Sequence, residues 1–267
     1  MELNIDYISD LHLTHYISKK ESITKIDKLV QDKISMQVKG NILVVVGDID
    51  EDINRVSELL YSCSKYYKKV IFVLGNHEYY IPVIKYIYTD PMAKEYNYNS
   101  MNKVYRLNEI FKGNNDIIIL DKTNNTKGLY TYNTFLLAGD TLWYKPVTLV
   151  DKLYNYPMQN DSRFILSELS KKDKIQKLYN DSMSWYNNLP NNIDLMITHI
   201  PPFRNKSNSR GNNSCYYTEV KEYKSPVWIY GHDHKEEDII INNTRLVSNP
   251  WGYDTKDFKI KTLTLTK

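Results

Sequence analysis

Cysteine is scarce in this chain of 267 residues, which contains only Cys63 and Cys215. Two cysteines cannot form a disulfide framework in a chain of this length, and neither lies in a Cys-x-x-Cys motif. The sequence therefore does not predict a small disulfide-stabilised scaffold. A reducing, cytoplasmic compartment is the expectation that follows.

Long hydrophobic runs are also lacking. The longest apolar runs have the length of a buried strand, far below the ~18 residues that a membrane helix requires. Residues 1–10 alternate apolar and polar side chains and contain no basic region followed by an apolar one, so no signal peptide is predicted. We expect a soluble protein with no membrane partner.

Neither sign of charge is in large excess. The 35 Lys and Arg residues and the 32 Asp and Glu residues give a formal net charge of +3, with both signs interspersed. A broad basic surface is therefore missing, so a nucleic-acid partner is not favoured. The length and the lack of a linker-like tract predict a single domain over residues 1–267, with variable decoration around residues 80–115 and 141–190.

The first third of the chain alternates strand and helix patterns. Apolar and polar residues alternate over 2–8, which predicts a strand, and the wholly apolar run 42–46 predicts a strand covered on both faces. A third strand is predicted over 70–74. Helical spacing predicts helices over 22–39 and 53–63 between these strands. This βαβαβ order implies a parallel core sheet.

The patterns in the rest of the chain are less regular. They predict one helix near 100–112 and another over 162–189. The further predicted strands lie near 116–120, 134–138, 193–198 and 227–230, within 238–248 (two strands), and near 258–265.

Asp, Asn or His residues stand directly at the ends of five predicted strands. The segments are Asp10-Leu11-His12, Gly47-Asp48, Gly75-Asn76-His77-Glu78, Thr198-His199 and Gly231-His232-Asp233-His234. Five of the six histidines of the chain lie in these segments. Open α/β sheets bind ligands outside the carboxyl ends of their strands, so we expect these side chains to meet in one crevice.

The residue types in these segments are typical metal ligands. Carboxylate, imidazole and amide groups together suit borderline divalent ions such as manganese, iron, zinc or nickel. The set is too large for one ion, whereas two cations that share a carboxylate can clamp the attacking and leaving oxygens of a phosphate ester. We therefore expect two divalent metal ions, with manganese as the first choice. The glycines let the backbone come close to the ions.

In this order, the five segments resemble the motifs of the calcineurin-like metallophosphoesterases. The resemblance runs from about residue 5 to about residue 252, and the late segment Asn249–Tyr253 is similar to that of compact bacterial-type members. It implies an α/β fold, a four-layer α/β/β/α sandwich with two mixed sheets and the metal site at the carboxyl ends of the strands. The implied ligands of one metal are Asp10, His12, Asp48 and His234, and those of the second are Asp48, Asn76, His199 and His232, with Asp48 bridging.

His77 is similar to the family histidine that contacts the scissile phosphate and protonates the leaving group. Asn76 and His77 are adjacent at a strand end, so their side chains point in different directions. If Asn76 binds the metal, His77 is therefore not expected to bind it. One of Asp50, Glu51 and Asp52 could orient His77. Alternatively, the three acids are simply the start of a helix, where the helix dipole favours negative charge.

The predicted function is therefore metal-dependent hydrolysis of phosphate esters, with a metal-bridging hydroxide as nucleophile and His77 as general acid. The Ser/Thr protein phosphatases place two arginines beside the metals, where this chain has Glu51-Asp52 and Leu74. A small nucleotide-like or cyclic phosphodiester is therefore the predicted substrate. The alternatives are a phosphomonoesterase or a protein phosphatase, followed by a DNA nuclease and a non-catalytic scaffold.

Substrate contacts have weaker signals in the sequence. Arg204 and Arg210 lie in a polar loop after His199 and are candidates for phosphate contacts. Tyr79 is a candidate for stacking on a base or an aromatic leaving group, although tyrosines pack more often in the core. Gly139-Asp140 repeats the strand-Gly-Asp pattern, but the implied metal set is complete without it, so Asp140 is interpreted as a turn residue.

Overall fold

Two mixed β-sheets form the centre of the molecule. The computed structural model describes residues 1–18, 24–81, 91–206, 209–253 and 258–267. The strands of the first sheet are β1 (Glu2–Ile8), β2 (Ile42–Val46), β3 (Lys69–Val73), β4 (Ile117–Leu120) and β11 (Lys261–Thr266). Their spatial order is β11-β1-β2-β3-β4, with β11 antiparallel to β1 and all other neighbours parallel.

The second sheet also has a parallel centre, but both of its edge strands are antiparallel to their neighbours. Its strands are β5 (Leu129–Tyr132), β6 (Phe135–Asp140), β7 (Leu195–Thr198), β8 (Val227–Tyr230), β9 (Glu237–Ile241) and β10 (Thr244–Ser248). The spatial order is β5-β6-β7-β8-β10-β9. The edge pairs β5 with β6 and β9 with β10 are antiparallel, and the inner pairs are parallel.

Helices cover the outer faces of both sheets. They are α1 (Thr24–Leu29), α2 (Ile53–Ser64), α3 (Pro91–Glu95), α4 (Ser100–Ile110), α5 (Tyr156–Met158), α6 (Asn160–Phe164) and α7 (Lys171–Asn187). None of the helices in the described part of the chain combines the length and the apolar composition that a membrane crossing requires.

Three buried apolar clusters separate four layers. On β2, Leu43 and Val45 join a cluster with the α2 residue Val56, between the first sheet and its helices. The alternate β2 residues Ile42, Val44 and Val46 join a second cluster with residues of the second sheet. A third cluster lies on the far face of the second sheet, between that sheet and part of α7. The four-layer α/β/β/α sandwich with two mixed sheets is therefore confirmed.

Most of the predicted elements are present, with differences in the helices. The predicted helix over 22–39 begins outside the described residues, and after α1 it continues as a π-helical turn, Val30–Ile34, and a 3-10 turn, Ser35–Gln37. The strand β5 was not predicted. Cys63 and Cys215 are both buried and unpaired. The single-domain interpretation of residues 1–267 stays a prediction.

The prediction of one helix over 162–189 is wrong, because the chain breaks between α6 and α7. Leu166 accepts a hydrogen bond from the Ser100 N–H (3.0 Å) and donates its own N–H to Ser100 Oγ (2.9 Å), which draws this stretch to the start of α4. Ser170 then begins a new helix, since its Oγ accepts a hydrogen bond from the Asp173 N–H at 3.2 Å.

Candidate metal centre

The loops after β1, β2, β3, β7 and β8 meet at one edge of the sandwich. Backbone hydrogen bonds join them, from Asp10 N–H to the Gly47 carbonyl (3.1 Å) and from Gly231 N–H to the His199 carbonyl (3.0 Å). This junction brings together all seven residues that were expected to bind metal, and all but His234 are buried. The parallel pairing of the strands explains the convergence, because their carboxyl ends lie on one side.

Three of these side chains form a first ligand group, which consists of Asp10, His12 and His234. Nε2 of His12 lies 3.1 Å from Nε2 of His234, which lies 3.4 Å from Oδ1 of Asp10. Burial lowers the pKa of His12 to about 4, and it also lowers the pKa of His234. The two imidazoles are therefore neutral at neutral pH and offer nitrogen lone pairs beside a carboxylate.

The second ligand group consists of Asn76, His199 and His232. Oδ1 of Asn76 lies 3.0 Å from Nε2 of His199 and 3.1 Å from Nδ1 of His232. Asp48 lies between the two groups, because its Oδ2 is 3.8 Å from His12 Nε2 and 3.3 Å from His199 Nε2. One carboxylate oxygen therefore faces both groups.

The hydrogen bonds around the second ligand group fit a cation at its centre. His199 Nδ1 lies 2.9 Å from the Val46 carbonyl, which can only accept, so Nδ1 holds a proton and Nε2 of the neutral ring presents a lone pair. That lone pair faces the Asn76 and Asp48 oxygens. Burial disfavours a charge on His199, but the nearby Asp48 carboxylate favours it and raises the pKa of His199 to about 10.

Five of the candidate ligands have a left-handed backbone, which side-chain-bearing residues rarely adopt. Their φ angles are 53° for Asp10, 45° for His12, 57° for Asp48, 73° for His232 and 54° for His234. Each such residue costs about 1–3 kcal/mol and persists only where the surroundings impose it, typically at functional sites. The left-handed backbone at these five positions is thus consistent with loops whose conformation directs the side chains towards the site.

Two glycines make room for ligand side chains of neighbouring loops. A Cβ atom on Gly47, whose φ is 75°, would lie 2.4 Å from Nδ1 of His199. A Cβ atom on Gly75 would lie 2.1 Å from Oδ1 of Asp48. The glycines were expected to let the backbone approach the ions, but their direct effect is to leave room for the His199 and Asp48 side chains.

Glu78 holds the backbone around Asp48 in place. Its buried carboxylate accepts hydrogen bonds from the backbone N–H groups of Asp48 (3.0 Å), Ile49 (2.7 Å) and Gly75 (2.6 Å). Burial and the nearby Asp48 raise the pKa of Glu78 to about 7. One side chain thus joins the loop after β2 to the loop after β3. Glu78 lies in one of the five strand-end segments, but no role was predicted for it from the sequence.

His77 lies beside the ligand groups and is oriented by Glu51. Its Nδ1 is 3.3 Å from Oε1 of Glu51, and its Nε2 is 3.8 Å from Oδ2 of Asp48. The other two acids have different partners, since Asp50 pairs with Arg55 and Asp52 caps α2. Burial acts to lower the pKa of His77, but Asp48 and Glu51 raise it to about 9.

A comparison with known protein families agrees with this geometry. The family model described as calcineurin-like phosphoesterase matches residues 3–236. The chain belongs to the calcineurin-like phosphoesterase family. It is therefore a metal-dependent phosphoesterase, a hydrolase of phosphate esters, as the sequence analysis predicted.

Two similar proteins cover nearly the whole phosphoesterase chain. The uncharacterized protein L509 of Acanthamoeba polyphaga mimivirus is 24% identical, over 92% of this chain and 90% of that protein. The crystal structure of phosphopantetheinyl hydrolase (PptH) from Mycobacterium tuberculosis has a TM-score of 0.58 and 17% identity, over 94% of this chain and 89% of that chain. The latter similarity shows the shared fold.

A residue that the sequence analysis missed holds the amide of Asn76 in this phosphoesterase. Asn76 Nδ2 donates to the Tyr80 hydroxyl (2.7 Å) and to Oδ1 of Asp161 (2.9 Å). Asp161 also accepts hydrogen bonds from the Tyr80 and Tyr144 hydroxyls. It lies on α6, inside the segment 141–190 that was interpreted as decoration.

The phosphoesterase has a cleft of about 290 Å³ above the ligand groups. Arg210 lies on its wall, where Nη1 donates to the His232 carbonyl (3.1 Å) and the guanidinium carbon is 5.0 Å from the ring centroid of Tyr216. The other residues that line the cleft outside the ligand groups are His77, Tyr80, Met158, Gln159, Asn160, Asp161, Tyr216 and Tyr253.

The structure does not bring the other two substrate candidates of the phosphoesterase to this cleft. Arg204 donates from Nε to the Gly211 carbonyl at 2.8 Å and stabilises its own loop. Tyr79 is 1% exposed, and its ring meets Trp143 edge-on at a centroid distance of 5.0 Å. The neighbouring Tyr80 lines the cleft instead.

Proposed function

We propose that the two ligand groups bind two divalent cations, bridged by Asp48. Beside Asp48, one coordination set consists of Asp10, His12 and His234, and the other of Asn76, His199 and His232. Manganese is the favoured ion, with iron, zinc and nickel as alternatives. The observation that supports this most directly is the position of Asp48 Oδ2, 3.8 Å from His12 Nε2 and 3.3 Å from His199 Nε2.

We further propose that His77 is the general acid. The chemistry that bound cations supply is polarisation of the ester and a lowered pKa of the attacking water. Oε1 of Glu51 lies 3.3 Å from Nδ1 of His77 and accepts its proton in a hydrogen bond. Nε2 of His77 is therefore left for the substrate. Since His77 lines the cleft, Nε2 can deliver a proton to the oxygen of the leaving group.

The substrate that the cleft supports best is a small phosphodiester, nucleotide-like or cyclic. A volume of about 290 Å³ suits one small molecule. Tyr216 and Tyr253 pack beside His232 and His234, so aromatic faces flank the ligand groups and can stack on a base. Among the described residues of the cleft wall, Arg210 is the one arginine. A single guanidinium suits the single charge of a diester better than a monoester dianion.

A phosphomonoester is the second candidate, because one guanidinium, that of Arg210, does lie on the cleft wall. The guanidinium reaches the cleft beside His232, where it could pair with the second charge of a monoester. We rank protein phosphatase, nuclease and scaffold functions below both. The proposed compartment is the cytoplasm, because Cys63 and Cys215 are both unpaired.

The substrate proposal is tested by kcat/KM for bis(p-nitrophenyl) phosphate and p-nitrophenyl phosphate, with one metal at one pH. We expect wild type to prefer the diester. Arg210→Ala tests the phosphate contact, and Arg204→Ala is its matched control, because Arg204 lies in the same loop but donates to Gly211. A wild-type preference for the monoester of about tenfold or more contradicts the diester proposal. Loss of that preference in Arg210→Ala alone would identify Arg210 as the monoester clamp.

A further inference from the structure

An asparagine that binds a cation has to be held in one of its two amide orientations. The side-chain oxygen can bind a cation, whereas the NH2 group only donates hydrogen bonds and cannot. The two orientations have nearly the same shape, so packing alone does not distinguish them. The surroundings of Asn76 therefore decide whether the second ligand group presents an oxygen.

Both N–H bonds of the Asn76 amide are occupied on the side away from the ligand group. Nδ2 donates to the Tyr80 hydroxyl at 2.7 Å and to Oδ1 of Asp161 at 2.9 Å. A flipped amide would turn its oxygen towards the Asp161 carboxylate, so that two acceptors would face each other in a buried place. Because buried polar groups without partners are costly, this arrangement opposes the flip.

Asp161 is itself held in place by two tyrosines. It is 1% exposed, and its Oδ1 and Oδ2 accept hydrogen bonds from the hydroxyls of Tyr80 and Tyr144, respectively. A phenol hydroxyl donates a strong hydrogen bond to a carboxylate and does not neutralise the charge of that carboxylate. The two tyrosines thus hold Asp161 from two sides. Asp161 in turn accepts a hydrogen bond directly from the candidate ligand Asn76.

We propose that Asp161 is a positioning residue, which locks the Asn76 amide with its oxygen towards the second cation and thereby sets the affinity for that cation. This inference rests on the proposed dinuclear centre. It also gives α6 a function, because this helix places Asp161 next to the second ligand group. Asp161 contacts the second ligand group, so the affinity at Asp10, His12 and His234 should not depend on it.

The first test measures metal binding in Asp161→Ala. Removal of a partner that orients a metal ligand lowers metal affinity by ~10–100-fold, and we expect that loss for one of the two ions. Calorimetric titration of the metal-free protein with Mn²⁺ gives the two affinities, and electron paramagnetic resonance reports whether the two ions still couple. Unchanged affinity for both ions would overturn the positioning role.

The matched control is Asp151→Ala. Asp151 is another buried carboxylate of the same segment, 1% exposed, which accepts hydrogen bonds from Ser214 Oγ (2.6 Å) and Asn155 Nδ2 (2.6 Å). We expect its loss to lower the melting temperature and to leave both Mn²⁺ affinities unchanged. An equal affinity loss in Asp151→Ala would attribute the effect to general destabilisation and overturn the proposal.

A group exchange keeps the proposal testable if Asp161→Ala does not fold. Asn76→Asp alone brings two carboxylates together, and Asp161→Asn alone weakens the lock on the amide. The double variant Asn76→Asp with Asp161→Asn restores one carboxylate and one amide, in exchanged positions. We expect the double variant to bind the second Mn²⁺ more tightly than either single variant. If the double variant loses as much Mn²⁺ affinity as the two single variants together, the proposal is overturned.

Failure of the underlying dinuclear centre has a different signature. If wild type binds one Mn²⁺ or none, the dinuclear centre is overturned, and the positioning role with it. If wild type binds two ions and Asp161→Ala binds two with the same affinities, only the positioning role is overturned.

Discussion

The two ligand groups are held to different degrees by the rest of the protein. In the second ligand group, His199 is fully buried and its Nδ1 donates to the Val46 carbonyl at 2.9 Å. The Asn76 amide is held by Tyr80 and Asp161. The side chains of His199 and Asn76 are therefore fixed in orientation by hydrogen bonds to the rest of the protein.

The first ligand group is more open. The side chain of His234 is 14% exposed, and its ring packs at a centroid distance of 4.8 Å from Tyr253, which is itself 55% exposed. A site whose ligands are fixed in advance loses less conformational entropy on binding. The comparison shows that a buried ligand group and a partly exposed one lie on either side of the Asp48 carboxylate. We expect the second group to bind its ion first and more tightly.

The largest expected effect is the loss of the residue that both groups share. In Asp48→Asn we expect neither ion to remain after gel filtration, because the Asp48 carboxylate belongs to both of the proposed coordination sets. Elemental analysis measures the metal content. His77→Ala is the control, since His77 belongs to neither set and this variant should keep both ions. Near-stoichiometric metal in Asp48→Asn would remove the basis of the comparison.

The next largest effect distinguishes Mn²⁺ binding at the first ligand group from Mn²⁺ binding at the second. His234→Ala should abolish the weaker of two Mn²⁺ binding steps and keep the tighter one, while His199→Ala should do the reverse, because each residue serves one group. Calorimetric titration measures both steps. If each variant loses the same step, the groups are not independent and the proposed difference in affinity is wrong.

A third effect changes the reaction without changing metal content. In His77→Ala we expect kcat to fall by ~10²–10⁴-fold on an ester with a poor leaving group, because the general acid is missing. Nitrophenolate needs less protonation, so its ester should lose less. The ratio of the two kcat losses is the measurement, and equal losses on both esters would argue against an acid role.

The smallest expected effect concerns Lys103, which contacts Tyr80, a neighbour of the second ligand group. Its buried Nζ donates to the Tyr80 carbonyl at 2.7 Å, and burial lowers its pKa from 10.5 to about 8. Between these pH values the unfolded chain binds more protons than the folded one, so the free energy of unfolding rises with pH.

Relative to Lys103→Met, wild type should therefore gain up to about 3 kcal/mol as the pH increases from 8 to 10.5. Urea unfolding of both proteins at a series of pH values measures the gain. A difference that stays constant across this window would show that Lys103 is charged in the folded protein as it is in the unfolded one.

The metal-site segments could be predicted from sequence because their signal is local. Asp10, Asp48 and His199 each follow a predicted strand within one or two residues, and the parallel order of the strands then brings the strand ends together. The strand patterns by themselves predicted a parallel core sheet, whereas the two mixed sheets, which are confirmed, were implied by the family resemblance. The assignment of each ligand to one of two ions came from the family resemblance and stays a prediction.

The supporting residues could not be predicted because their contacts are not local. Asp161 is 85 positions from Asn76, and its role depends on how the chain breaks between α6 and α7. Asp140 was interpreted as a turn residue, yet it is buried and pairs with Lys122 at 2.9 Å. The choice between Tyr79 and Tyr80 depends on the 3-10 turn after β3, where no alternating pattern applies.

The two buried cysteines make unfolding of this chain directly observable. Cys63 lies on α2, and Cys215 lies in the loop region between β7 and β8, so they sample two separate parts of the molecule. Burial raises the pKa of both thiols, which suppresses the reactive thiolate in the folded state. A thiol reagent therefore modifies only molecules that have opened, and unequal labelling of the two sites distinguishes local opening from global unfolding.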